Sequence, residues 1–415
     1  MIILTIKSNN EDVMSRVHAQ EGSTPVEPRT ANSGSLKRAA AGLAALGAGL
    51  WAPPAEAHVK WFAPYIVDAA PQPISATLTN VWFWTGIGLV LAFFIATLVV
   101  ERTSVGRGIQ SGLDRVSAPL WNRADDFMRV SIGGFFVAIF AVGGVYLTPD
   151  LKTDYEVISW AQLLIAMCVF SRRTMPIAAA GIITLWVVAL REYDLFHLLD
   201  YLALGVAVAA YLVMASSNDE KWRARRFLAL RWGIAIALMW SSLEKFAYPD
   251  WFYPLVEEKP FLTFGMPRDV FIPMAGVAEF TLGFGLLWTA LVRRLSAVAL
   301  LAIFFTAVYP FGRVDLVGHA LIMAALFLVA ADPCREAKAV AVKMPNALPR
   351  FGSLASVPAG LAVALVVLVS GYWGLHGVFY GAEYEAGQRQ ELTTHSHSKE
   401  YPHGPQAKPE NRSHH

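Results

Sequence analysis

Cysteine is almost missing from this chain: two occur in 415 residues, Cys168 and Cys334. They lie far apart, with no CxxC and no zinc-type spacing, which argues against a thiol redox pair and a structural metal site. Charge is also scarce. Asp, Glu, Lys and Arg make up 16% of the residues, against about 25% in ordinary soluble domains. Neither sign dominates, because 34 basic and 32 acidic residues leave a net charge of +2. The basic residues fall in short separate clusters and build no nucleic-acid-binding stripe. Motifs for haem, flavin or iron–sulfur ligation are missing too, so a redox cofactor would be a quinone or would belong to a partner.

What remains is apolar. Hydrophobic residues make up 55% of the chain and mean hydropathy is +0.44, the balance of a polytopic helical membrane protein. The fold class expected is all-α. Residues 1–57 read as a leader and signal peptide: Lys37-Arg38 precede a small-residue apolar run over 39–52, and Ala55-Glu56-Ala57 is an A-x-A cleavage site. An uncleaved first helix is the alternative. A periplasmic segment over 58–80 would follow.

Ten apolar segments come next, near 81–100, 130–148, 157–171, 175–191, 195–215, 229–247, 271–292, 295–311, 315–332 and 355–378. Most approach the ~20 residues that span a bilayer. Basic residues alternate with acidic ones from loop to loop. The stretch 81–128 reads as the first transmembrane helix and a cytoplasmic loop, with Arg102, Arg107, Arg115 and Arg123 in that loop and Arg129 just after it; Arg172-Arg173, Lys221 to Arg226, Arg293-Arg294 and Arg335 mark the later loops on that side. Asp150, Asp154, Asp194, Asp250 and Glu257 mark the other side. This positive-inside pattern predicts a bacterial inner-membrane protein with periplasmic mature termini. The tail over 379–415 is polar and His-containing, and reads as disordered.

Two stretches, 129–216 and 229–332, look like parallel copies of one four-helix unit. Each opens on an arginine, Arg129 or Arg231. Each leaves its first helix through related sequences, Leu147-Thr148-Pro149-Asp150-Leu151 and Ala247-Tyr248-Pro249-Asp250-Trp251, and each carries an inward double arginine. Gln162 stands where the second copy has Glu279, Val145-Tyr146 near Glu244-Lys245, and Asp200-Tyr201 near the register of His319. The second copy is expected to be the active one and the first its scaffold.

The second copy carries Arg231-x-Gly233, Glu244-Lys245-x-x-x-Pro249, Ala275-Gly276-x-x-Glu279-x-x-x-Gly283 and His319. In these features residues 231–332 resemble the DoxX/DoxD-like family of four-helix membrane proteins. The resemblance implies a subunit or accessory of a membrane redox system, passing electrons from a periplasmic sulfur compound or other small donor to quinone, with a periplasmic or membrane redox partner.

The candidate site follows from charges at membrane depth, where each costs at least ~2.5–3.5 kcal/mol on insertion scales. Glu279 is read as a proton acceptor or counter-charge, or as a structural partner of Lys245 or Arg231. Lys245 would hold a quinone oxygen or an anion, or snorkel to the interface. Adjacent Glu244 is ~100° around the helix, so one of the two is expected to face the loop. Asp315 lies four residues before His319 and would orient it. Trp240 and Tyr248 are candidates for an aromatic quinone slot, or interfacial belt residues. His58 would become the mature N-terminus, where amine and imidazole chelate copper. That supports a second reading as a copper-handling or transport protein. A non-catalytic assembly factor is the third.

Overall fold

Apolar runs and their stops dictate a helical bundle, and the computed structural model describes residues 70–308, 312–335 and 352–384 of it. The expected leader, His58 and the His-containing tail beyond 384 lie outside the described residues. A short helix α1 (Ile74–Thr79) leads into α2 (Val81–Glu101), which Asn80 caps by accepting from the Trp82 backbone N–H at 2.8 Å. The stretch expected as a cytoplasmic loop is instead the 18-residue helix α3 (Ser104–Trp121). Val105, Ile109, Leu113, Val116 and Leu120 recur every three or four residues there, an amphipathic period masked by the glycines and arginines between them.

Then come α4 (Ala124–Val142), α5 (Glu156–Cys168), α6 (Met175–Ala189) and α7 (Leu195–Ser216). The first of these stops six residues earlier than its apolar run suggests. Gly143 and Gly144 take positive φ, 69° and 60°, and break the helix. The following segment folds back through an isolated bridge between Val145 and Lys152. A connector α8 (Glu220–Ala224) precedes α9 (Arg226–Ser242), which gives way to the single turn α10 (Glu244–Ala247). Beyond two 3₁₀ turns and α11 (Tyr253–Glu258) lie α12 (Arg268–Gly285), α13 (Ala290–Val308), α14 (Arg313–Ala331) and α15 (Gly352–Tyr384).

Six of these runs are long and apolar enough to cross a membrane: Val81–Glu101, Leu195–Ser216, Glu220–Ala247, Ala290–Val308, Arg313–Ala331 and Ala355–Gly381. The other four expected crossings miss for two physical reasons. Helices α5 and α6 have 13 and 15 residues, about 20 Å of helix against a ~30 Å hydrocarbon core. Helices α4 and α12 reach the length but each holds three charged residues: Asp125, Asp126 and Arg129, and Arg268, Asp269 and Glu279.

Consecutive helices pack side by side from α4 to α7, and again through α9, α12, α13 and α14. The two sets meet reciprocally. The last helix of the first set, α7, lies along the first helix of the second, α9, and α14 lies along α4. At the α7–α9 contact a Cβ on Gly233 would meet the Ala207 Cβ at 2.0 Å and the Ala203 carbonyl oxygen at 2.8 Å, so only glycine lets the helices close.

The inward double arginine of the second stretch, Arg293-Arg294, is almost fully buried. Arg294 donates to the Ala330 carbonyl at 2.8 Å and to Ser117 Oγ at 3.0 Å, and pairs with Asp114, clamping α3 onto α13 and α14. Arg293 and Arg231 share Asp332, at 3.3 and 3.5 Å. Apolar burial set the depth of α13, and its arginines followed it inward because carbonyls and carboxylates were there to receive them.

Candidate functional site

Where α7, α9–α10, α12, α13 and α14 come together, a cavity of about 270 Å³ opens. That is near the low end of the ~300–1,000 Å³ typical of small-molecule pockets. Phe135, Phe136, Leu204, Val208, Phe304 and Ile322 contribute an apolar wall. Asp200, Tyr201, Glu244, Lys245, Glu279, Asp315 and His319 contribute the polar end. These polar groups come from the N-terminal turns of α7 and α14, the turn after α9, and the middle of α12.

Lys245 Nζ donates to Glu279 Oε2 at 2.7 Å, and both side chains are about one-fifth exposed, at 17% and 22%. The ammonium also lies 5.1 Å from the centre of the Phe252 ring, a cation–π contact that offsets part of its lost hydration. The lysine thus points into the protein at a helix end where snorkelling was the alternative. Small residues make this approach close: a Cβ on Gly276 would meet Lys245 Cβ at 3.1 Å. On α14, one turn separates Asp315 from His319. Nδ1 of the imidazole sits 3.0 Å from the Asp315 carbonyl and 3.4 Å from its Oδ2. Asp315 is buried, and the Phe304 ring packs 5.3 Å from the imidazole. An oriented imidazole beside a carboxylate is a standing proton donor and acceptor pair.

Glu244 departs from expectation. Both it and Lys245 line the cavity, at the turn of α10 that follows α9 through Leu243, itself in helical conformation. Glu244 is 6% exposed and also borders a small recess with His197, Asp200, Tyr248 and Trp251. Neither Trp240 nor Tyr248 lines the main cavity. Trp240 packs with Phe196 and Tyr372, at 6.2 and 5.0 Å between ring centres, and its Nε1 has no hydrogen-bond partner among the described residues. Tyr248 stacks on Trp251 at 3.8 Å. Burial first, then the Glu244 and Asp200 carboxylates, push its phenol up, so it stays a proton-bearing donor.

Asp200, Tyr201 and Thr148, absent from the expected site, line the cavity, and Asp150 supports them. Asp200 and Tyr201 come from the first four-helix stretch, and the Tyr201 and Thr148 hydroxyls both donate to Asp150. Pro149, beside that carboxylate, lies 3.6 Å from where a Cβ on Gly318 would stand. The repeat alignment was the available signal, since it put Asp200-Tyr201 in the register of His319. Gln162, which the sequence comparison set opposite Glu279, lies on α5, and its Nε2 donates to the Val145 carbonyl at 2.7 Å and to that of Tyr146 in the segment after α4.

Among the described residues no group of three or more His, Cys, Asp or Glu side chains is arranged to hold a metal ion. The copper candidate His58 lies outside them. No family model, curated protein or solved structure matches the chain.

Proposed function

We propose that this chain is a DoxX-like inner-membrane protein of ten crossings, a subunit or accessory of a membrane redox system whose cavity takes a quinone-class ligand and manages its protons. One observation carries the reading: a single cavity joins an aromatic and aliphatic wall to an ion pair and an Asp315–His319 pair at one end. A neutral ring with an apolar tail and two polar oxygens suits that division. When bound, a quinone supplies two-electron, two-proton redox chemistry, with the electrons arriving from a partner or a periplasmic donor. Within the chain, Lys245 holds Glu279 and offers N–H donors to an oxygen at the polar end. His319, oriented by Asp315, gives or takes a proton. Glu244 links the cavity to the recess beside Tyr248, a route for protons toward the outer face.

Four carboxylates, Asp200, Glu244, Glu279 and Asp315, surround one lysine. That balance disfavours an oxyanion inside the cavity. A sulfur-compound donor, which the resemblance suggests, would therefore react at the outer mouth or on a partner. The reciprocal packing of α7 on α9 and α14 on α4 supports two parallel copies related by a pseudo-two-fold, with the cavity on the seam between them. On this reading α4, α5, α6 and α12 also cross the membrane, with Val157, Trp160 and Leu164 of α5 and Ile177 and Val187 of α6 exposed to lipid, and α3 lies in the inner interface, with Val105 and Val116 exposed to lipid.

The test uses membranes holding matched amounts of protein. Glu279→Gln and His319→Asn should each lower quinone-linked electron transfer by about 10²-fold or more. Unchanged transfer in both would discard the redox role and leave an assembly role in its place.

A further inference from the structure

At the other end of the bundle lies a second cleft, about 350 Å³ in volume. Arg226 and Glu244 bound the α9–α10 stretch, so the two sites stand about 27 Å apart along it. Arg129 of α4, Arg172 of the α5–α6 turn, Arg223 of α8 and Arg226 of α9 converge on this cleft, against Asp125 and Glu220. The four guanidiniums are not equally occupied. Arg226 is satisfied by Asp125, which takes hydrogen bonds from Nε and Nη2 at 2.7 and 2.8 Å. Arg129 meets Asp126 at 3.3 Å, while its buried Nε has no hydrogen-bond partner among the described residues. Arg172 and Arg223 form no ion pair among the described residues.

Membrane topology asks for arginines on one side of the bilayer. It does not ask that side chains from four separate elements face one cleft. Guanidiniums match the oxygens of a phosphate group two at a time, and basic pockets between helices on the inner side suit anionic lipid headgroups. Trp222, 51% exposed and next to Arg223, stands where an interfacial belt residue would. We propose that this cleft binds a phosphate group carried by an anionic phospholipid of the inner leaflet, held by Arg129, Arg172 and Arg223. The proposal rests on the chain crossing a bilayer and not on the quinone reading.

The test measures thermal unfolding of the purified full chain in micelles titrated with phosphatidylglycerol, with phosphatidylcholine, or with inorganic phosphate. Phosphatidylglycerol should raise Tm where phosphatidylcholine does not. Its apparent affinity should fall about 30-fold in Arg172→Ala/Arg223→Ala, at about fivefold per arginine. The charge-keeping pair Arg172→Lys/Arg223→Lys should lose less, which separates binding from damage to the fold. An equal response from wild type and the alanine pair, or from both lipids, overturns the proposal. If millimolar inorganic phosphate reproduces the shift, the lipid assignment is overturned and a free phosphate site takes its place.

Discussion

Glu279 is a carboxylate that a lone membrane helix could not keep, and Lys245 is what keeps it. Removing one partner from a buried pair leaves the other uncompensated, at ~3–5 kcal/mol for full burial. With both side chains about one-fifth exposed, Lys245→Met should cost about 2–3 kcal/mol. Adding Glu279→Gln should recover part of that, with a coupling of about 1–3 kcal/mol in a double-mutant cycle read by unfolding. Additive losses would show that the contact contributes little. His319 and Asp315 call for a different comparison. Asp315→Asn keeps the shape but weakens the orientation of the imidazole, so it should lower quinone-linked transfer less than His319→Asn does, with protein levels unchanged. The Asp315–His319 pair was legible from its four-residue spacing. For Glu279 the sequence left Lys245 and Arg231 both open, and only the fold chose Lys245. That Glu244 would also reach the cavity was not legible, because adjacent residues are expected ~100° apart around a helix.

Helix contacts decide which residues become neighbours. The α7–α9 seam depends on Gly233, where a side chain would strike the Ala207 Cβ and the Ala203 carbonyl. Gly233→Val should destabilise the protein by about 1–3 kcal/mol or more, as overpacking does, and should also open the cavity seam and weaken ligand binding. Gly88→Ala makes the control. Nothing lies within 4 Å of a Cβ there, and alanine is the better helix former by ~0.5–1 kcal/mol, so its Tm should hold or rise. Most helices were readable from apolar runs, with ends wrong by a few residues where special geometry intervened, as at Gly143-Gly144. Helix α3 escaped because its apolar residues are diluted by glycine and arginine. Polar contacts of Arg294 with Ser117 and Asp114 tie it to α13.

For the whole molecule, the alternation of loop charge makes a topology that labelling can test. In a Cys334→Ser background, which removes the exposed native thiol, Asp250→Cys should react with a membrane-impermeant maleimide added to whole spheroplasts. Arg173→Cys should react only after permeabilisation. The reverse pattern, or labelling of both from one side, would invert or break the ten-crossing arrangement. The same orientation would place the arginine cleft on the inner leaflet and the Lys245 cavity toward the periplasm.

Composition and period by themselves determined that the chain is helical and apolar enough for a bilayer, because those properties are sums over residues close in sequence. They also picked out Glu244, Lys245, Glu279 and His319, since charges at membrane depth are costly wherever the helices go, and four-residue spacing added Asp315. Only the tertiary structure decided that Asp200 and Tyr201 share their cavity, that Trp240 belongs to an aromatic cluster instead, and that Arg293 and Arg294 are buried. These are contacts between residues about 40 to 180 positions apart. Helix periodicity cannot express them, because they arise where helices distant in sequence close against one another and a buried charge meets its partner there, as Arg294 of α13 meets Asp114 of α3.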